Sequence, residues 1–270
     1  MKSSGFFTAL IIMVKYFKIF ILALVHSIKN YKALIGLNLF VITCLIIFAH
    51  LWQATTPKMG TAHLHPDRLL WYIALNEWVL IALPIVQRDM EQDLRSGKLA
   101  CLLVRPISYL GATFSNCFGI LCVNLASLGL VAFIFTYWQV GFPFHFFEFT
   151  IFIILGVIAG SVGILYQMLV GISAFWLKEV APFNWIWDKF LFTFGGLIIP
   201  LSIYPDWIQQ IAFCTPFPGI LGQRSSLALD FDLTQALQIA GSLFWWGIFA
   251  VVCLILLYRK GLRILHIEGG

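Results

Sequence analysis

The stretch "RDMEQDLRSGKLACLLVRP", residues 88–106, governs how the rest of the chain is read. Seven of its nineteen side chains are charged, and the sequence on either side is almost pure hydrocarbon. Arg88, Glu91 and Arg95 stand three and four residues apart, where opposite charges meet on one helix face. Gly97 is placed to end that helix in the left-handed conformation. "KLACLLVR" then begins a second amphipathic turn, with Leu99, Leu102 and Leu103 on one face, and Pro106 terminates it. Read alone, the island is either an amphipathic contact element or a solvated loop whose leucines rest on a membrane.

Composition sets its surroundings. Of 270 residues, 61% are hydrophobic and 11% charged, against about 45–50% and about 25% in a soluble domain. The mean hydropathy is +0.93. Too little polar surface exists to cover a water-soluble sphere, so the chain is expected to be an all-α polytopic membrane protein. The 26 Phe, 10 Trp and 8 Tyr suit interfacial belts and packed helices. A span needs about 20 apolar residues, at ~1.5 Å each, to cross ~30 Å of hydrocarbon. Six stretches are expected to do so: 33–52, 69–86, 109–138, 149–177, 190–202 and 236–258. The six cysteines show no C-x-x-C spacing and read as small buried hydrophobes.

Charge placement orients these spans. Fourteen Lys and Arg fall in the N-terminal region, the 87–108 and 178–189 loops and the tail; Lys58, Arg68 and Arg224 fall on the other side. This asymmetry places both termini and the island in the cytoplasm. Within residues 1–32, Lys15, Lys18, His26, Lys29 and Lys32 fall within about 120° of one helix face. That pattern describes an interfacial amphipathic helix, with a seventh span as its rival. The basic residues form no single soluble patch, so nucleic acid is not an expected partner.

No catalytic constellation is visible. The one Gly-Lys pair, Gly97-Lys98, is followed by Leu99 and preceded by Gln92 where a phosphate-binding loop needs Ser/Thr and Gly. No H-E-x-x-H or G-x-S-x-G occurs. His63 and His65 alone make a weak metal signal and read as loop residues, so no metal site is assigned.

The island and a second block resemble the permease subunits of ATP-binding-cassette (ABC) exporters of the type-2, or type V, fold, closest to a bacterial subgroup of unassigned substrate. Arg95, Ser96 and Gly97, then Leu102 and Leu103, then Arg105, Pro106, Ile107 and Ser108 follow that pattern. "PFNWIWDK", "GGLIIPLSIYP" and "PFPGI", within 182–220, resemble its fifth span and outer re-entrant segment, about 202–222. Lys98, Ala100 and Cys101 depart from it where many relatives carry Thr and an acid, so no role is transferred there. The resemblance covers nearly the whole chain: residues 1–32 as the interfacial helix and 33–270 as a six-helix permease domain. It implies a bacterial inner-membrane protein that is not itself an enzyme and binds no cofactor. A separate cytoplasmic ABC ATPase dimer would bind ATP and Mg. A second permease subunit, identical or related, would complete the exporter. Arg88, Glu91, Arg95, Gly97, Leu102, Leu103, Arg105 and Pro106 would form the coupling segment, with Leu102, Leu103 and Arg105 as anchors.

Several spans contain residues that hydrocarbon disfavours. Glu77 lies ~12 Å into the second span, where a charge costs ~2.5–3.5 kcal/mol. It is expected to face a cavity and recognise a cationic substrate, or else to lie near the interface if the span starts later. Gln167 is a second cavity candidate. "GVIAGSVG" places Gly156 and Gly160 four apart, with Gly163 nearby, for close packing or a hinge. Gly195, Gly196, Pro200 and Pro205 weaken regular helix and predict a bend, followed by a short amphipathic piece near 206–213, which together form an outer gate or a passive cap. Two other classes stay open: an ion-coupled secondary transporter using Glu77, and a membrane-embedded lipid-modifying enzyme.

Overall fold

The computed structural model describes residues 3–55, 66–104, 107–142, 144–177 and 179–268. Arg105, Pro106, His63, His65, Lys58 and Lys178 lie outside the described residues. Among those described, the regular structure is helical: α1 (Ser3–Lys29), α2 (Tyr31–Thr55), α3 (Pro66–Ala82), α4 (Val86–Arg95), α5 (Lys98–Leu103), α6 (Tyr109–Val140), α7 (Phe146–Ile172), α8 (Ala181–Phe194), α9 (Asp206–Phe213), α10 (Phe217–Ile220), α11 (Gly222–Ser226) and α12 (Leu233–Glu268).

α3 is the centre of the bundle. Every residue from Leu69 to Val79 on it is buried, whatever face it occupies. It packs against α2, α6, α7 and α11. Its neighbours are amphipathic towards it rather than towards water. α2 buries Val41, Leu45, Ala49 and Trp52 at helical spacing and exposes Ile35, Leu39, Phe40 and Ile47. α12 buries Leu243, Ala250 and Leu254 and exposes Phe244, Trp245, Phe249 and Leu256. Apolar outer faces of this kind suit helices solvated by lipid.

The glycines of "GVIAGSVG" serve packing. A Cβ on Gly156 would stand 2.6 Å from the Trp78 ring, one on Gly160 2.9 Å from Leu121 and one on Gly163 2.9 Å from Leu83. α7 thus takes large side chains of its neighbours into a row of gaps. α1 is held to α6 in the same way. Tyr16, Ile19, Phe20, Ala23 and Ser27 are the less exposed residues of α1, three and four apart. Cβ atoms on Gly111 and Gly119 would strike the Tyr16 ring at 2.9 Å and the Phe20 carbonyl oxygen at 2.7 Å. The Tyr16 hydroxyl accepts the Ser108 N–H at 3.0 Å. Lys18, His26, Lys29 and Lys32 are exposed away from that seam, and the helix breaks at Asn30.

Five helical stretches are long and apolar enough to cross a membrane: Tyr31–Ala54, Pro66–Arg95, Tyr109–Val140, Phe146–Phe175 and Leu233–Ile264. The second is interrupted at Pro84, which lacks a donor, so α3 and α4 are separate helices. The expected span over 190–202 is not among them. α8 has 14 residues, about 21 Å at 1.5 Å per residue, and leaves helix at Gly195.

Replacing Gly119 by Val is expected to force α1 from α6 and cost about 1–3 kcal/mol. Thermal unfolding in detergent reads this as a lowered midpoint; Gly36→Val, where a Cβ meets nothing within 4 Å, leaves it within error.

Candidate functional site

Two regions concentrate polar chemistry. The first is the corner formed by α4 and α5. α4 buries Val86, Gln87 and Met90. A Cβ on Gly171 at the end of α7 would meet Met90 Sδ at 3.0 Å and Gln87 Cα at 3.1 Å, so α4 lies directly on α7. The Gln87 amide donates to Asn184 Oδ1 of α8, and Asn184 donates to Asp188 at 3.3 Å. The Glu91–Arg95 pair read from the sequence forms, at 2.6 Å. Gly97 adopts φ 70° and joins the two helices. Arg88 and Arg95 are exposed.

On α5 the leucines divide. Leu99 is buried and Leu102 packs partly against the core, whereas Leu103 and Val104 face outward, 37% and 86% exposed. Asp93 ties the corner together. Its carboxylate accepts from Lys98 Nζ at 2.7 Å and from the Tyr109 hydroxyl of α6 at 3.2 Å. Tyr109 stacks on Tyr258 of α12 with centroids 6.1 Å apart, and Tyr258 meets Phe175 beyond α7 edge-on. A cavity of about 540 Å³ lies behind, lined by Asp89, Asp93, Leu102, Thr113 and Asn116.

The second region surrounds the irregular backbone after α8. Gly195 and Gly196 are buried, the latter at φ 66°. The Tyr72 hydroxyl donates to the Gly196 carbonyl. Asn76 Nδ2 donates to the carbonyls of Leu197 at 3.0 Å and Gly196 at 3.3 Å. The Gly222 N–H donates to Gly195 O at 2.7 Å. Pro200 is buried before a 3₁₀ turn over Leu201–Ile203, and exposed Pro205 precedes α9. The gate candidates therefore split: both glycines and Pro200 lie inside, Pro205 outside.

Arg224 of α11 completes this region. It is fully buried, donates from Nη2 to the Leu75 carbonyl at 2.6 Å, and lies 6.0 Å from the Trp78 ring centroid. Nη1, Asn76 Oδ1 and Ser225 Oγ have no partner among the described residues. Sequence reasoning counted Arg224 as a loop cation. The only signal of its burial was the run of small and apolar residues around "GQRSS". Glu77 is buried on α3, its electrostatic influence falling on Cys44 of α2. Gln167 is buried on α7 with Oε1 unpartnered among the described residues. Neither lines the 540 Å³ cavity or the 550 Å³ cavity described below. The structure does not bring these two candidates together with the Arg224 region through any hydrogen bond among the described residues.

A bundle of long apolar helices around a buried polar knot, with a charged helical corner at one end, defines a polytopic α-helical membrane protein. The chain belongs to the ABC-2 family: the model described as "ABC-2 family transporter protein" matches residues 71–269, from within α3 to the end of α12. No curated protein matches the sequence. Membership makes the chain the membrane component of an ABC-type transporter and implies association with an ABC ATPase.

Arg224→Ala would remove charge-assisted hydrogen bonds to buried carbonyls and is expected to cost about 1.5–3 kcal/mol. Arg263→Ala, at an exposed position, stays within about 0.5 kcal/mol. Denaturation of both variants in the same detergent makes the comparison.

Proposed function

We propose that this chain is the permease subunit of an ABC exporter, working as two permease subunits with two cytoplasmic ATPases. ATP and Mg are held by those partners, and this chain performs no chemistry of its own. The α4–α5 end and both termini face the cytoplasm of a bacterial cell, in keeping with the charge asymmetry. Residues 1–32 act as an amphipathic helix with its lysines towards water and headgroups, and residues 33–270 form the permease domain. The 202–222 region re-enters the outer leaflet. Gly195, Gly196 and Pro200 are where that side opens, because a knot of buried polar groups with unmet partners is the part of such a bundle most readily rearranged.

The observation that carries this reading is the α4–α5 corner. It exposes a short apolar anchor, Leu103 and Val104, beside exposed charges. It is also bonded to α6 through Asp93 and Tyr109 and packed on α7 through Gly171. A push delivered there by closing ATPases reaches the spans without passing through a flexible loop. Within the coupling segment 88–106, Leu103 and Val104 contact the ATPase, Leu102 supports them from inside, and Arg88, Glu91 and Arg95 hold the helix. Glu77 recognises a cationic group of the exported substrate, an assignment that also needs α2 to part from α3.

Purification of the tagged chain with its ATPase provides the test. Leu103→Asp combined with Val104→Asp, both at exposed positions, is expected to leave thermal stability unchanged and to abolish ATPase co-purification. Retention of the ATPase by this variant would overturn the docking assignment.

A further inference from the structure

A cavity of about 550 Å³ lies between α3, α6 and α7, in the half of the bundle away from the α4–α5 corner. Its floor is Trp78. The indole N–H donates to the Leu125 carbonyl at 2.7 Å, and the ring is clamped between Gly129 and Gly156, where a Cβ would approach it to 2.8 and 2.6 Å. Its far end is closed by aromatic side chains. Trp71, whose N–H donates to Gly141 O at 3.2 Å, stands 5.8 Å from Phe133, and Phe133 stands 5.0 Å from Phe149. Its side wall is open: Ala126, Leu130 and Ile153 line it and are exposed on the apolar outer surface of α6 and α7.

The geometry points to this cavity as a binding site for one hydrocarbon chain of a membrane lipid. Three features select that occupant. Both indole N–H groups in the lining are already donated to backbone carbonyls, and the remaining lining is apolar apart from the Cys122 thiol, so a polar ligand finds no fixed partner. The mouth is continuous with the lipid-facing surface rather than with either aqueous end. The slot also runs along the spans. It extends from Phe149 to Val157 on α7 and from Cys122 to Phe133 on α6, about 12–17 Å at 1.5 Å per residue, close to half of a ~30 Å hydrocarbon core. A chain of one leaflet fits this length and direction. It would restore the dispersion contacts that an unfilled apolar cavity forfeits. Assignment to the outer leaflet rests on the orientation proposed above; the site itself does not.

The full chain, reconstituted in vesicles of phosphatidylethanolamine and phosphatidylglycerol containing a phospholipid with a diazirine on its acyl chain, provides the test. After irradiation, adducts are expected to concentrate in peptides covering 122–133 and 149–157, above those on the exposed face of α12 around Phe244, Trp245 and Phe249. Ala126→Trp blocks the mouth and removes these adducts while α12 labelling stays unchanged. Leu130→Trp, at a 63% exposed position, serves the same purpose should the first variant fold poorly. Labelling no greater than on α12, or unaltered in a folded mouth variant, would show ordinary annular lipid and overturn the proposal. The experiment needs no ATPase, so failure of the docking assignment leaves its result standing.

Discussion

Peptide groups in an apolar interior must find partners, since each one left unpaired costs several kcal/mol. In this chain the demand is greatest after Phe194, where helix stops among buried residues and resumes as α9 only at Asp206. Tyr72 and Asn76 answer it from α3, one turn apart on a single face. Arg224 returns the bond by donating to a carbonyl of α3 itself. This exchange explains why α3 is central. A helix that must offer polar groups to a broken neighbour on one side and large apolar groups to α6 and α7 on another has no face left for lipid.

Trp78 belongs to both systems. Its ring lies under the Arg224 guanidinium on one side and between two glycines of α6 and α7 on the other, and its N–H is fixed by Leu125. Small residues around one large rigid side chain give a close, specific helix contact where burial from water supplies no driving force between helices. The α4–α5 corner is built differently, from charge-assisted hydrogen bonds and stacked aromatics at the bundle's edge. The Asp93–Tyr109–Tyr258 chain links four elements through side chains that are half-buried rather than sealed. One end of the bundle is therefore locked by packing and the other by exchangeable polar contacts.

Much of this was legible in the sequence, for physical reasons. Hydropathy reveals long spans because lipid tolerates few charges, so α2, α3, α6, α7 and α12 stood out. Gly97 and the Glu91–Arg95 pair were readable because capping and i,i+4 pairing are local. Packing of Gly156, Gly160 and Gly163 followed from spacing, although their partners Trp78, Leu121 and Leu83 did not. Arg224 was misplaced because a charge count assigns every cation to a loop, and nothing local reveals that a carbonyl 149 residues away will receive it. The inward turn of Leu102 was hidden for a similar reason. Three leucines on one face of a short helix do not announce which of them meets its own chain.

The absent span over 190–202 follows from the same constraint that shapes the knot. α8 carries Asp188 and Lys189 in its second half, and the ammonium of Lys189 lies 5.3 and 5.5 Å from the rings of Trp185 and Phe192. A helix so marked cannot extend as pure hydrocarbon in both directions, and it ends at two glycines. The rest of the crossing is irregular. By Leu229 and Phe231 the chain has reached the end of the bundle where α3 begins, since the Leu229 carbonyl accepts from Arg68 and Phe231 packs on Phe152. Between these points α10 and α11 bring Arg224 back to the level of Leu75. One crossing is thus divided into a helical part and a hydrogen-bonded, non-helical part. A divided crossing can change length and direction at its junction with little loss of helix, which a continuous span of 30 residues cannot do.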